Sequence, residues 1–293
     1  MTSSTKLANT KNLMNCVHCF KQDIVKPKAK SHTGIAIDYL DLIENTNSFI
    51  RELKSTASGW VYSSEKYNQI LTKELSQRDG DIQNAISIIE QTIKMKFRKG
   101  CPQGQYGELL LFNLIQHFFH AAPLLRKMPI TTNPNLERHG ADAIHYLKNE
   151  NGHTFYLGES KCYKSNYKFN EALSESVNSI LTTLSNIQSE IQLYQHDDFI
   201  DPILQPIADG LINNTLDNPT FELVCLVVYT ETSKVEAPSA DEIRTKIEET
   251  VKHRWDNTSD RLYENFHTGY ISRINYIVFP SWSLEKLLES FED

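Results

Sequence analysis

The chain has 293 residues and a formal net charge of −7, long enough for one large domain or two ordinary ones and too acidic to coat nucleic acid non-specifically with its whole surface. With 40% hydrophobic and 23% charged residues it can bury a core, which excludes global disorder. No apolar run approaches the ~20 residues that span a bilayer, and residues 1–15 lack the apolar stretch of a secretory signal. The five cysteines are an odd number in a chain too long to need staples, so the expected setting is a reducing cytoplasm, with no membrane partner.

Residues 1–33 are polar and rich in lysine. They carry Cys16-Val17-His18-Cys19, which reads as two reduced thiols in a short strand, because no second C-x-x-C or paired histidines follow at zinc-finger spacing. From Gly34 the pattern turns helical: Leu40, Ile43, Phe49, Ile50 and Leu53 suggest an amphipathic helix. A second helix is expected over residues 65–75. A third is expected after Asp81, a good N-cap, through Ile82, Ile86, Ile89 and Ile93. Residues 1–99 thus read as a mostly helical N-terminal region, and residues 100–293 as the second unit.

Residues 105–121 are apolar nearly all round, the mark of a helix buried on several sides. Glu108 lies in its first turn, where a carboxylate either complements the helix dipole or reaches into a site. Past a proline-bearing loop over 122–140 comes the most informative stretch, 142–161. Two strand-like runs flank Asn151-Gly152, the strongest short hairpin signal. A two-residue turn sets Asp142 opposite Lys161; a four-residue loop sets Asp142 opposite Glu159. Side chains alternate with period two, so both registers put Asp142, Glu159 and Lys161 on one face, whereas a three-residue loop would break that parity.

Two carboxylates this close repel unless a cation or proton intervenes. Hard oxygen ligands suit Mg²⁺ or Mn²⁺, and a nearby ammonium can offset the negative charge that develops in phosphodiester hydrolysis. The bland alternative is a surface salt bridge worth ~0–1 kcal/mol. Ile144, Tyr146, Phe155 and Leu157 share the face, which favours a buried sheet ending in a site.

The order of a helix with Glu108, a strand with Asp142, Glu159-Ser160-Lys161 and then a long helix resembles the PD-(D/E)xK restriction-endonuclease-like core. More narrowly, GxELLLF, HGADAIHY and FYLGESK, followed by a long helix, resemble the HamA family of nuclease effectors in Hachiman anti-phage defence over about residues 100–293. The resemblance implies Asp142, Glu159 and the Ser160 carbonyl as ligands of Mg²⁺ (or Mn²⁺), Lys161 as the catalytic lysine and Glu108 as an accessory glutamate. It also implies DNA as substrate and a HamB-like superfamily-2 helicase as partner. Ala141 stands where the motif's name has proline. Lys164 and Lys168 could hold phosphate beside the metal.

Beyond the hairpin, Phe169, Leu173, Val177, Ile180, Leu184, Ile187, Ile191 and Tyr194 mark the clearest amphipathic helix. Phe221 to Tyr229 is continuously apolar, as in a central strand covered on both faces. A charged helix over 241–255, a strand over 273–279 and a last helix capped by Ser283 complete a mixed α/β sheet flanked by helices. The chain contains no P-loop, so any DNA unwinding falls to a partner. The leading expectation is a metal-dependent DNA endonuclease. Its rivals are a catalytically silent subunit that grips DNA or the helicase, and an RNase or structure-specific nuclease.

Overall fold

The structure is a computed structural model that describes residues 7–24, 27–98, 100, 103–126, 140–150, 152–165, 168–193, 200–259 and 266–292. In chain order the elements are α1 (Lys11–Met14), β1 (Val17–Lys21), β2 (Ser31–Ile37), β3 (Tyr39–Leu40), β4 (Ile43–Glu44), α2 (Thr46–Ser55), α3 (Ala57–Val61), α4 (Ser64–Gln77), α5 (Ile82–Lys94) and α6 (Gln103–Phe119). They continue with β5 (Ala122–Leu125), β6 (Ala143–Asn149), β7 (Gly152–Tyr163), α7 (Phe169–Leu193), α8 (Gln205–Ile212), β8 (Thr220–Thr230), α9 (Ala240–Asp256), α10 (Thr268–Ile271), β9 (Ile274–Ser281) and α11 (Leu284–Glu292).

One seven-stranded mixed sheet, ordered β1-β2-β9-β8-β7-β6-β5, runs through the protein. β7, β8, β9 and β2 are mutually parallel, and β6, β5 and β1 run antiparallel to their neighbours. Parallel strands are covered on both faces, which is why β8 is buried continuously from Leu223 to Tyr229. Its odd residues pack with Phe169, Leu173, Val177 and Ile180 of α7 and with Ile243, Ile247 and Trp255 of α9. Its even residues pack with α2, α5, α6 and α11. The two faces are called here the α7 face and the α6 face. Among the described residues no helix is long and apolar enough to cross a membrane.

The expected helix beginning at Gly34 is corrected. Residues 31–37 form β2, buried from His32 onward and paired to both β1 and β9, and only Thr46–Ser55 is helical. Leu40 and Ile43, read as part of a helix stripe, sit on the β3–β4 hairpin and are 75% and 76% exposed. The N-terminal region is therefore not only helical: β1 and β2 extend the same sheet that carries β6 to β9. Gly34 is required there because the Phe20 ring of the opposing strand lies across it, where a Cβ would collide. Cys16 is buried in the α6-face core and Cys19 is exposed, so strand geometry sends the C-x-x-C thiols to different places.

Asp81 caps α5, its side chain accepting the Asn84 amide. The buried stripe of that helix is Ala85, Ile89 and Ile93, whereas Ile82 is 61% exposed. Of the expected loop over 122–140, residues 127–139 lie outside the described residues, as does the Asn151 turn position. β5 itself covers Ala122–Leu125.

Gly59, inside α3, has ordinary helical space around it: a Cβ would meet nothing within 4 Å. Gly59→Ala is expected to stabilise the protein by about 0.5–1 kcal/mol, through helix propensity and a less flexible unfolded chain. A urea melt with an unchanged slope and a higher midpoint is the check.

Candidate active site

The β6–β7 hairpin resolves the register. Ala143 pairs with Gly158 and Asn149 with Gly152, so continuing the pattern by one residue sets Asp142 across from Glu159. This is the register that the four-residue-loop alternative gave, but the pairing runs on to Asn149 and Gly152, further than a loop over 149–152 allows. Gly152, with φ +116°, supplies the left-handed backbone at the turn.

Glu159 and Lys161 project to the α7 face as their parity requires, with Lys161 Nζ 2.9 Å from Glu159 Oε1. Glu159 is 4% exposed, and its second oxygen, Oε2, is buried with no hydrogen-bond partner among the described residues. Burial, then the neighbouring Asp142 charge, push the Glu159 carboxyl up to about 7 against the opposing pull of Lys161 and the Ser179 hydroxyl. Burial pulls the Lys161 ammonium down, but Glu159, Asp142 and Glu175 outweigh it, so its pKa is raised and it stays charged at neutral pH. Beneath the pair, the cross-strand neighbour of Glu159 is Cys225, a core thiol pushed up to about 12 by burial.

Asp142 lies one residue before β6. Its amide donates to Gly158 O at 3.1 Å. Its Oδ2 accepts the Ser160 amide at 2.7 Å and the Ser160 hydroxyl at 3.0 Å. The carboxylate is thus drawn across the end of the hairpin toward Ser160, whose side chain belongs to the α6 face, while its charge still acts on Glu159. From α7, the Glu190 carboxylate accepts the Ala141 amide at 3.1 and 3.3 Å and so anchors the entry to Asp142.

Glu108 approaches from the other side of the sheet. It follows Gly107, where a Cβ would come within 3.1 Å of Ser160 Oγ. This close approach explains the glycine and seats α6 on β7; because α6 begins at Gln103, the half-buried Glu108 stands in its second turn and not, as expected, in its first. The charges acting most strongly on Glu159 and Lys161 are Asp142, Glu175 and each other, with Glu108 not among them.

Lys164 and Lys168 are exposed and already paired. Lys164 Nζ lies 3.4 Å from Glu285, and Lys168 Nζ lies 3.3 Å from Glu171 and 5.3 Å above the Tyr163 ring. Tyr163 donates its hydroxyl to Glu175. Glu175, Ser179 and Glu190 were not singled out in the sequence. The first two follow Glu171 at spacings of four on α7, and that stripe beside the apolar one could have identified them.

Asp142 and Glu159 are hard-oxygen groups acting on one another, and a buried Oε2 with no hydrogen-bond partner among the described residues, beside a second carboxylate, is the chemistry a divalent cation completes. Among the described residues no three His, Cys, Asp or Glu side chains are gathered as metal ligands. Two carboxylates fit Mg²⁺, which retains several waters.

The fold and this acid–lysine cluster define a mixed α/β protein compatible with a nuclease-like core. The match to known families is more particular: residues 13–293 match the HamA family, and the chain belongs to it. The match takes in β1, β2 and the N-terminal helices, so the likeness extends well before residue 100. Membership supports a role in anti-phage defence and a partner from the same defence system. Comparison with curated proteins returns no match.

Proposed function

We propose that the protein is a divalent-metal-dependent DNA endonuclease of anti-phage defence that acts with a HamB-like superfamily-2 helicase. The observation that carries this reading is Glu159: a buried carboxylate with one oxygen on Lys161, the other without a partner, and the Asp142 charge beside it. Buried ionisable groups under this much electrostatic stress concentrate at functional sites.

Asp142, Glu159 and the Ser160 carbonyl would hold Mg²⁺ or Mn²⁺, which when bound supplies Lewis-acid polarisation of a phosphoryl oxygen and acidifies water. The chain's own residues do the rest. Ser160 fixes Asp142 through two hydrogen bonds. Glu159 holds Lys161 by its ion pair, and the lysine side chain, 27% exposed, retains donors for a phosphate oxygen or an attacking water. Lys164 and Lys168 can exchange Glu285 and Glu171 for DNA phosphates at little cost, since exposed ion pairs contribute ~0–1 kcal/mol. Glu108 is the accessory carboxylate on α6, the helix that Gly107 seats against Ser160.

The test is incubation of the purified full chain with Mg²⁺ and labelled double-stranded DNA, single-stranded DNA and RNA, alone and with the helicase. The expected outcome is DNA cleavage that stops in excess EDTA. Cleavage that persists in EDTA removes the metal reading. Cleavage of RNA alone moves the substrate class, and no cleavage with or without the helicase leaves a binding subunit.

A further inference from the structure

Away from the hairpin, a cavity of about 380 Å³ opens between the N-terminal helices, α6 and the C-terminal end of edge strand β5. Its lining includes Asn12 of α1, Ser58 and Gly59 of α3, Tyr62, Phe112 of α6 and Arg126 just after β5. The volume lies within the ~300–1,000 Å³ of small-molecule sites.

Arg126 is the unusual member. It is 8% exposed, and among the described residues its one hydrogen bond is from Nε to Gly59 O at 3.1 Å. Nη1 is buried without a hydrogen-bond partner among the described residues, and the Asp201 carboxylate stands 3.9 Å away. His145 is fully buried, and the Arg126 cation acts on it. Both its ring nitrogens also lack hydrogen-bond partners among the described residues, and its ring packs on Phe112. A buried guanidinium normally finds a carboxylate, phosphate or several carbonyls, and buried polar groups without partners are rare enough to need an explanation. Around it, the Asn12 amide and the Ser58 and Tyr62 hydroxyls make no side-chain hydrogen bond within the described residues. Glu52 also lines the cavity, but its carboxylate is engaged by Arg51. The cavity therefore offers the buried Arg126 cation and several donors that make no side-chain hydrogen bond among the described residues.

We infer that this cavity is a binding site for a small ligand presenting an oxyanion, a phosphate or a carboxylate, to Arg126. The ligand completes the guanidinium's fork from the open side, while the hydroxyls and the Asn12 amide take its other polar atoms and Phe112 its apolar part. β5 is hydrogen-bonded to β6, whose start follows Asp142, so an occupant of this cavity sits one strand from the proposed metal ligands.

The inference is tested on the full chain in EDTA, at constant ionic strength, by calorimetric titration and thermal melts. The probes are inorganic phosphate, a nucleoside 5′-monophosphate and citrate. The expected result is saturable binding of at least one probe with a rise in melting temperature. Phosphate-bearing probes and citrate distinguish the two oxyanion sources. Arg126→Gln is expected to weaken binding at least tenfold. Gly59→Phe leaves Arg126 intact and adds a side chain at a lining position with open space, and is expected to do the same. If Arg126→Gln does not fold, Gly59→Phe decides. No saturable binding of any probe, or undiminished binding in a folded variant, overturns the inference.

Discussion

Glu159→Gln is expected to reduce metal-dependent cleavage by on the order of 10³-fold, since a metal's stabilisation of the transition state is worth several kcal/mol. The same substitution is expected to raise the melting temperature of the metal-free protein at pH 8. Burial and Asp142 hold the Glu159 carboxyl at about 7 in the fold, against an ordinary value of 4.5. An acid whose folded pKa is raised contributes stability that is fully present below the unfolded value and is lost as pH rises through the folded one. Glutamine is neutral throughout and nearly isosteric, so the variant escapes that loss. Its advantage should be large at pH 8, shrink through pH 7 and vanish near pH 4.5. Lys161→Ala is expected to cost about 10²–10³-fold in cleavage and to move Glu159 further upward, because the ammonium that opposes the rise is gone. Melting curves at pH 5 and pH 8 with EDTA, beside cleavage assays with Mg²⁺, separate these effects. A Glu159→Gln protein that is less stable than the parent at pH 8 would sink this account of the buried carboxylate.

The second large effect lies at the far end of β8. The Glu231 side chain is wholly buried. It accepts Arg254 Nε at 2.8 Å and Nη2 at 2.7 Å, together with the Thr232 and Ser233 amides. This fork ties α9 to the sheet. Arg254→Ala leaves a buried carboxylate with backbone amides alone and is expected to destabilise by about 3 kcal/mol. That is the low end for a broken buried pair, because Arg254 is itself 26% exposed. Burial alone would raise the Glu231 carboxyl, but Arg254 and the two amides outweigh it and hold it at about 2. A depressed carboxyl contributes stability above its unfolded value that is lost as pH falls through the folded one. The gap between parent and Arg254→Ala should therefore narrow from about pH 4.5 toward pH 2. Adding Glu231→Gln to Arg254→Ala should recover part of the loss, since it removes the unpaired charge. Urea melts of the two single variants and the double variant provide the cycle; strict additivity would show that the fork carries no coupling.

The elements most legible in the sequence were those whose pattern records a single nearby environment. α7 shows its apolar stripe because one face meets the sheet. β8 reads as continuously apolar because helices cover both its faces. Parity alone put Glu159 and Lys161 on a common face, and they are ion-paired there. β2 was misread because Ile35, Ala36 and Ile37 are all buried, which erases the alternation that marks a strand with one wet face.

By itself, then, the sequence determined a mixed α/β chain, the hairpin, and the shared face of Glu159 and Lys161, all set by local backbone period and turn chemistry. Only the tertiary structure decided which hairpin register holds and that β1 and β2 join the sheet beside β9. It also turned the Asp142 carboxylate onto the Ser160 amide, set Glu108 on the opposite face, and brought Glu175, Ser179 and Glu190 to the site along α7. These depend on strand pairing and helix docking between residues far apart in the chain. There, burial and hydrogen-bond satisfaction choose among arrangements that the local pattern leaves equal.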